Sequence, residues 1–238
     1  MFFLVSGEGP TDMGTCNGAV SQCDAEQYLY GPMAVIVSQI VEERHHYWLL
    51  ETGHFGFASE GALVARASEL KAAKKSLGLP GKKRAKETRY FFNNARVLAR
   101  IAMERQTELG DEVVAVLFRD SDGTASAGRG LWTDKRKSML DGFEQEGFNK
   151  GVPMLPKPKS EAWVICAVKN EYQSCEQLEE RSGNDNSPNS LKAELEGHLG
   201  ELPGREALCQ MVSDQAIDIG QITMPSFTAF RNRLEEVI

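Results

Sequence analysis

Two short acidic clusters carry the chemistry this sequence could do. Gly7-Glu8-Gly9-Pro10-Thr11-Asp12 follows the apolar run Phe2–Val5, and Arg119-Asp120-Ser121-Asp122-Gly123 follows the apolar run Val113–Phe118. Carboxylates crowded together repel one another unless a cation sits among them. Carboxylates with water shells suit Mg2+ or Mn2+, which prefer oxygen ligands and bridge readily to phosphate. An Asp-x-Asp leaving a strand can aim both side chains forward once the backbone breaks its two-residue alternation. Gly123 supports that break, and Gly9 lets a substrate approach beside Glu8. Taken singly, each cluster has a plainer reading. Asp-Ser-Asp-Gly makes Asx turns well, and Glu8 alone is an ordinary loop acid. Two such clusters, each at the end of an apolar strand, point instead to Glu8, Asp120 and Asp122 meeting at one edge of a sheet.

That meeting requires both runs to be central parallel strands, because open α/β sheets bind ligands beyond the carboxyl ends of their strands. The pattern supports this. Strands are expected at Phe2–Val5, His46–Leu50, Val113–Phe118 and Val152–Leu155. Residues 11–30 read as a loop. Helices are expected from Pro32 to about Arg44, from Ala85 to Leu109 with Gly110 as the stop, from Asp134 to Gln145, and after Ser160 as a cap. The polar stretch 180–189 reads as a linker or mobile loop. Three helical pieces follow, near 190–199, 204–215 and 226–237. The order predicts an α/β fold: a mostly parallel four-stranded sheet flanked by helices, with a C-terminal helical extension. A domain over 1–180, with a basic insertion at about 55–105, and an extension over 190–238 are the expected divisions.

The net charge of −7 over 238 residues argues on average against nucleic acid, but the charge is segregated. Twelve basic residues and three acids between Arg66 and Arg105 leave that stretch at +9 and the remainder at −16. Lys74, Lys75, Lys82, Lys83, Arg84, Lys86 and Arg89 are the expected contacts to a phosphate backbone. A solvated helix face accounts for the same charges equally well.

No apolar run is long enough to span a bilayer, and no basic stretch precedes the apolar residues at the start, which predicts neither a membrane anchor nor a secretion signal. Five cysteines without a Cys-x-x-Cys pair suggest neither a disulfide framework nor a zinc knuckle, and a reducing cytoplasm is the simplest setting. Adjacent His45 and His46 make a poor metal site on a strand, and Gly7-x-Gly9 lacks the third glycine of a dinucleotide fingerprint. The tyrosines, Tyr90 among them, read as core or surface residues.

Glu8-Gly9-Pro10-Thr11-Asp12 after the first strand and Asp120-Ser121-Asp122 after a later one resemble the TOPRIM (topoisomerase–primase) domain. The likeness is closest to OLD-type nucleases and small stand-alone TOPRIM-like proteins, several of them linked to phage defence. It covers roughly residues 1–170. The resemblance implies that Glu8 ligates metal or acts as general acid/base, and that Asp120 and Asp122 ligate metal. Asp12 matches a further acidic position, and Lys157, Lys159 and Glu161 match the lysine and acid that OLD-type sites add downstream. The sequence departs from topoisomerases in having Thr124 where a third aspartate is usual, and it shows no ATPase P-loop.

Three functions are consistent with these residues. The first is a Mg2+- or Mn2+-dependent nuclease acting on DNA or RNA, with Lys157 or Lys159 neutralising charge on the phosphorus centre. The second is a non-catalytic TOPRIM-like subunit docking on a partner ATPase or toxin complex through its C-terminal helices. The third is another Asp-x-Asp metal enzyme, which would not need Glu8. Oligomeric state is left open, with a homo-oligomer among the choices.

Overall fold

The computed structural model describes residues 1–73, 86–121, 131–169 and 175–238. Strand β1 (Phe2–Gly7) is buried along its whole length. A π-helical turn, Gly9–Met13, follows it and leads into β2 (Gly14–Cys16), β3 (Gln22–Asp24) and β4 (Tyr28–Tyr30). Helix α1 (Pro32–His45) opens on Pro32, whose fixed φ suits a first turn. Then come β5 (Phe55–Ser59), α2 (Glu60–Ala73), α3 (Lys86–Leu109), β6 (Val113–Phe118), α4 (Leu131–Gln145), β7 (Gly151–Met154) and α5 (Ser160–Val168). Helices α6 (Leu191–Leu199), α7 (Arg205–Ser213) and α8 (Pro225–Val237) complete the chain.

The main sheet has five strands in the order β3-β5-β1-β6-β7. The pairs β5–β1, β1–β6 and β6–β7 are parallel, and the edge strand β3 runs antiparallel to β5. The architecture is therefore α/β and mostly parallel, but with five strands rather than four. The extra strand is β3, three residues long, within the stretch expected to be a loop. A separate two-stranded sheet, β2–β4, comes from the same stretch. Three-residue strands are too short to show a period, which is why they escaped notice.

One expected strand is not a strand. His46 takes a left-handed conformation (φ 62°) and closes α1, and Leu49–Glu51 forms a single 3-10 turn. The strand that pairs with β1 is Phe55–Ser59. Its glycine and alanine dilute the apolar pattern, although Phe55, Phe57 and Ala58 are buried. Within residues 55–105, this strand belongs to the central sheet and α3 covers one of its faces.

Two apolar layers hold the sheet. Phe3, Val5, Val114, Val116 and Phe118 face one way, against α1, α5 and the C-terminal helices. Phe2, Leu4, Val113, Ala115 and Leu117 face the other way, against α2, α3 and α4. The helices after residue 190 are part of the first layer: Leu191, Val212, Phe227 and Phe230 share its cluster with Trp163 of α5. Trp163 donates its indole N–H to Ser226 Oγ at 2.9 Å, tying α5 to α8.

Four of the five cysteines are paired, Cys16 with Cys23 and Cys166 with Cys175. This corrects the expectation of no disulfides. Separations of seven and nine residues match no short motif, so only the fold brings the partners together. Cys209 is free and buried. Among the described residues no helix is long and apolar enough to cross a membrane.

Candidate functional site at the carboxyl edge of the sheet

The strand register fixes the site. Ser6 pairs with Leu117, and Gly7 with Ser59, so Glu8 leaves β1 beside the ends of β6 and β5. Phe118 pairs with Met154, which brings the segment after β7 alongside Asp120. Four parallel strands thus deliver Glu8, Glu60, Asp120 and the Lys157–Glu161 segment to one edge.

Glu8 and Asp120 meet there. The Asp120 backbone N–H donates to Glu8 Oε1 at 2.9 Å. The Asp120 carboxylate turns to the start of α5, where Oδ1 accepts the Ser160 N–H at 3.0 Å. Orphan N–H groups at a helix start favour such a negative partner. Ser160 does not use its hydroxyl to cap its own helix. Its Oγ donates to Asp12 Oδ1 at 2.5 Å. Ser160 therefore links both acidic clusters, through its backbone to Asp120 and through its side chain to Asp12. Sequence reading saw Ser160 only as a helix start.

The turn that carries Asp12 depends on two glycines. Gly9 sits at φ 78°, a left-handed conformation that L side chains rarely adopt. Gly31 lies against the Asp12 carbonyl, where a Cβ would collide with backbone. The Asp12 carboxyl is held above its ordinary value. Burial is the main cause, opposed by the Ser160 hydrogen bond and reinforced by the neighbouring charge of Glu161.

Other expected residues are placed as follows. Lys159 Nζ lies 2.7 Å from Asp185 Oδ1 and 3.9 Å from Glu161 Oε1. Lys157 Nζ lies 3.1 Å from Glu180 and 3.8 Å from Glu179. Both lysines are thus engaged with carboxylates. Asp122 lies outside the described residues, as do Lys74, Lys75, Lys82, Lys83 and Arg84 and the side chain of Lys86. Within the basic stretch, Arg66 pairs with Glu69 and Glu104, Arg96 and Arg100 pair with Glu146, and Arg105 pairs with Asp24 and Glu108. Those four cations hold elements together.

On the α2–α3 side of Glu8 lies a group that sequence reading did not single out. Tyr90 donates its hydroxyl to Glu60 Oε1 at 2.6 Å and accepts from Arg119 Nε at 3.2 Å. Its phenol is pushed up to about 12, chiefly by burial, with Glu60 and Glu8 adding to the shift against Arg119. Arg119 follows the last residue of β6, a position where a charged side chain usually reads as solvated. It is fully buried instead.

Among the described residues, no group of three or more His, Cys, Asp or Glu side chains is arranged to hold a metal ion. The expected third ligand, Asp122, falls outside them. In kind, the described donors suit a hard cation: Glu8, Asp12 and Asp120 offer only carboxylate oxygens, and each is oriented by a hydrogen bond from the protein.

Comparison with protein-family models, with curated proteins and with solved structures finds no match for this chain. The functional reading therefore rests on the edge itself. Cavities between α2 and α3, between α4 and α8, and between β3 and α3 have none of Glu8, Asp12 and Asp120 in their walls.

Proposed function

We propose that this chain is a divalent-metal-dependent phosphodiester hydrolase of TOPRIM-like design, acting on DNA or RNA. The observation that carries the reading is the contact between Glu8 and Asp120, delivered by adjacent parallel strands to the edge where α/β folds bind ligands. Glu8, Asp120 and Asp122 are the residues that would hold Mg2+ or Mn2+, with Asp12 and Glu161 beside them. Bound there, the ion would polarise a phosphate oxygen and lower the pKa of a water.

The chain's own residues prepare that edge. The Asp120 N–H fixes Glu8, and the start of α5 fixes Asp120 through Ser160. Supporting hydrogen bonds of this kind hold acids in place without the reorganisation that would slow a reaction. Asp12, half-buried beside Glu161, is costly to keep charged, and a cost retained at the ligand edge of a sheet is typical of functional acids. A role in phage defence follows only from the resemblance. The argument for a reducing cytoplasm loses its ground, because four cysteines are paired.

The test is cleavage of plasmid, single-stranded DNA and RNA by the full chain with Mg2+ or Mn2+. Wild type is expected to cut at least one of them and Glu8→Gln none. A wild type that cuts nothing, or a Glu8→Gln variant as active as wild type, removes the reading.

A further inference from the structure

Arg119 presents an imbalance that the fold alone does not resolve. Its relative exposure is 0%, and it sits between the last residue of the central strand β6 and Asp120. Its Nη1 donates to the Phe118 carbonyl at 2.7 Å and its Nε to the Tyr90 hydroxyl at 3.2 Å. Both acceptors are neutral, the phenol firmly so. Nη2 is buried and has no hydrogen-bond partner among the described residues. Among the described residues no carboxylate forms an ion pair with it. A guanidinium cannot shed its proton to escape this environment. Buried charges are ordinarily paired, and an unpaired one is costly.

We propose that Arg119 is the anion-binding residue of this edge, and that its missing partner is a phosphate oxygen of the substrate. The proposal rests on the phosphodiesterase reading and deepens it by naming the group that takes the substrate's charge. Position supports it. Arg119 adjoins Asp120 in the chain, and the register places it beside Glu8. Tyr90, itself 37% exposed, packs its ring over the guanidinium at 5.7 Å. A planar fork matches two phosphate oxygens better than an ammonium does. The lysines first expected in this role, Lys157 and Lys159, already pair with carboxylates, whereas Arg119 forms no ion pair among the described residues.

Two arms test the proposal on the full chain. In the first, inorganic phosphate is titrated into metal-free wild type carrying isotope-labelled arginine, with chloride at equal ionic strength as control. The Arg119 side-chain resonance is expected to move saturably with phosphate and to ignore chloride. A resonance that stays still throughout overturns the proposal. In the second arm, R119Q and R119K are assayed on an oligonucleotide that wild type cuts. R119Q is expected to raise KM about tenfold or more, with kcat changing less and R119K in between. An R119Q variant that folds as wild type and keeps its KM and kcat overturns the proposal. Should R119Q fail to fold, the wild-type titration decides. Should wild type cut no nucleic acid, the hydrolase reading fails by itself, and the same titration still rules on Arg119.

Discussion

The backbone N–H of Asp120 donates to Glu8 Oε1 at 2.9 Å, so residues more than a hundred positions apart share one hydrogen bond at the sheet edge. The donor is backbone, and any side-chain oxygen at position 8 can accept from it. Glu8→Gln should therefore keep the fold and lose only the negative charge, whereas Glu8→Ala should lose the bond as well. The expected cost of the alanine variant is about 1–2 kcal/mol, with Glu8→Gln close to wild type. Urea unfolding of the three proteins checks this. Equal losses in both variants would mean that the charge, not the bond, supports the edge.

Ser160 holds the two acidic clusters together by different atoms. Ser160→Ala removes the hydroxyl that reaches Asp12 and leaves the N–H that reaches Asp120. The expected result is a stability loss of about 1 kcal/mol and reduced cleavage, milder than that of Glu8→Gln. Ser160→Ala with full activity would show that Asp12 need not be held.

Asp12 gives a pH-dependent prediction. Its carboxyl is raised above the usual range, first by burial, so the folded chain binds that proton more tightly than the unfolded chain does. Stability must then fall as pH rises from the ordinary carboxylate value through the raised one. Asp12→Asn keeps an acceptor for Ser160 and removes the titration. It should be more stable than wild type at neutral pH, with the difference vanishing in acid below the ordinary value of 3.8. Thermal unfolding at both ends of that range is the measurement. A neutral-pH loss in Asp12→Asn would make Asp12 a structural anchor.

What the sequence could show follows from burial. β1 and β6 are covered on both faces, so every residue in Phe2–Val5 and Val113–Phe118 is apolar, and the runs stand out. Their ends marked Glu8 and Asp120. β5 pairs with β1 just as closely, but Gly56 and Ala58 hide it, while the aromatic His46–Leu50 resembles a strand and is the cap of α1 followed by a 3-10 turn. Arg119 and Ser160 were overlooked because each has a common local use, as a solvated charge and a helix start. Only the packing of α3 over β6, and of α5 beside the Gly9–Met13 turn, gives them other partners. The cysteine pairs needed the same tertiary information.

Glu146 joins α4 to α3 by accepting from Arg96 and Arg100 at 2.5–2.6 Å, with its own side chain 8% exposed. Burial pushes its carboxyl up, but the two guanidinium groups outweigh that and hold it below the usual range. A depressed acid contributes stability above its unfolded value, and that contribution is lost as pH falls through the folded value. Glu146→Gln should cost about 2 kcal/mol at neutral pH and nothing in strong acid. Unfolding free energies across the acid range check the convergence, and parallel curves would refute it.

The disulfides make the last prediction. Cys16–Cys23 ties β2, which follows the Asp12 turn, to the edge strand β3, and Cys166–Cys175 ties the end of α5 to the 3-10 turn Cys175–Glu180. The first lies just beyond Asp12 and the second on the helix whose start holds Asp120. Closing loops of this length should stabilise the fold by about 2.5 kcal/mol each, mainly by restricting the unfolded chain. Denatured without reductant, the protein should show one thiol, Cys209, and after reduction five. Replacing both Cys166 and Cys175 with serine should lower the thermal midpoint without changing the helix content. Because α5 is also anchored by Trp163 against Ser226, Phe227 and Phe230, its start should stay in place, and cleavage by the folded variant should persist. Loss of cleavage in a folded variant would show instead that the bridge, rather than the apolar packing, keeps Ser160 against Asp12 and Asp120.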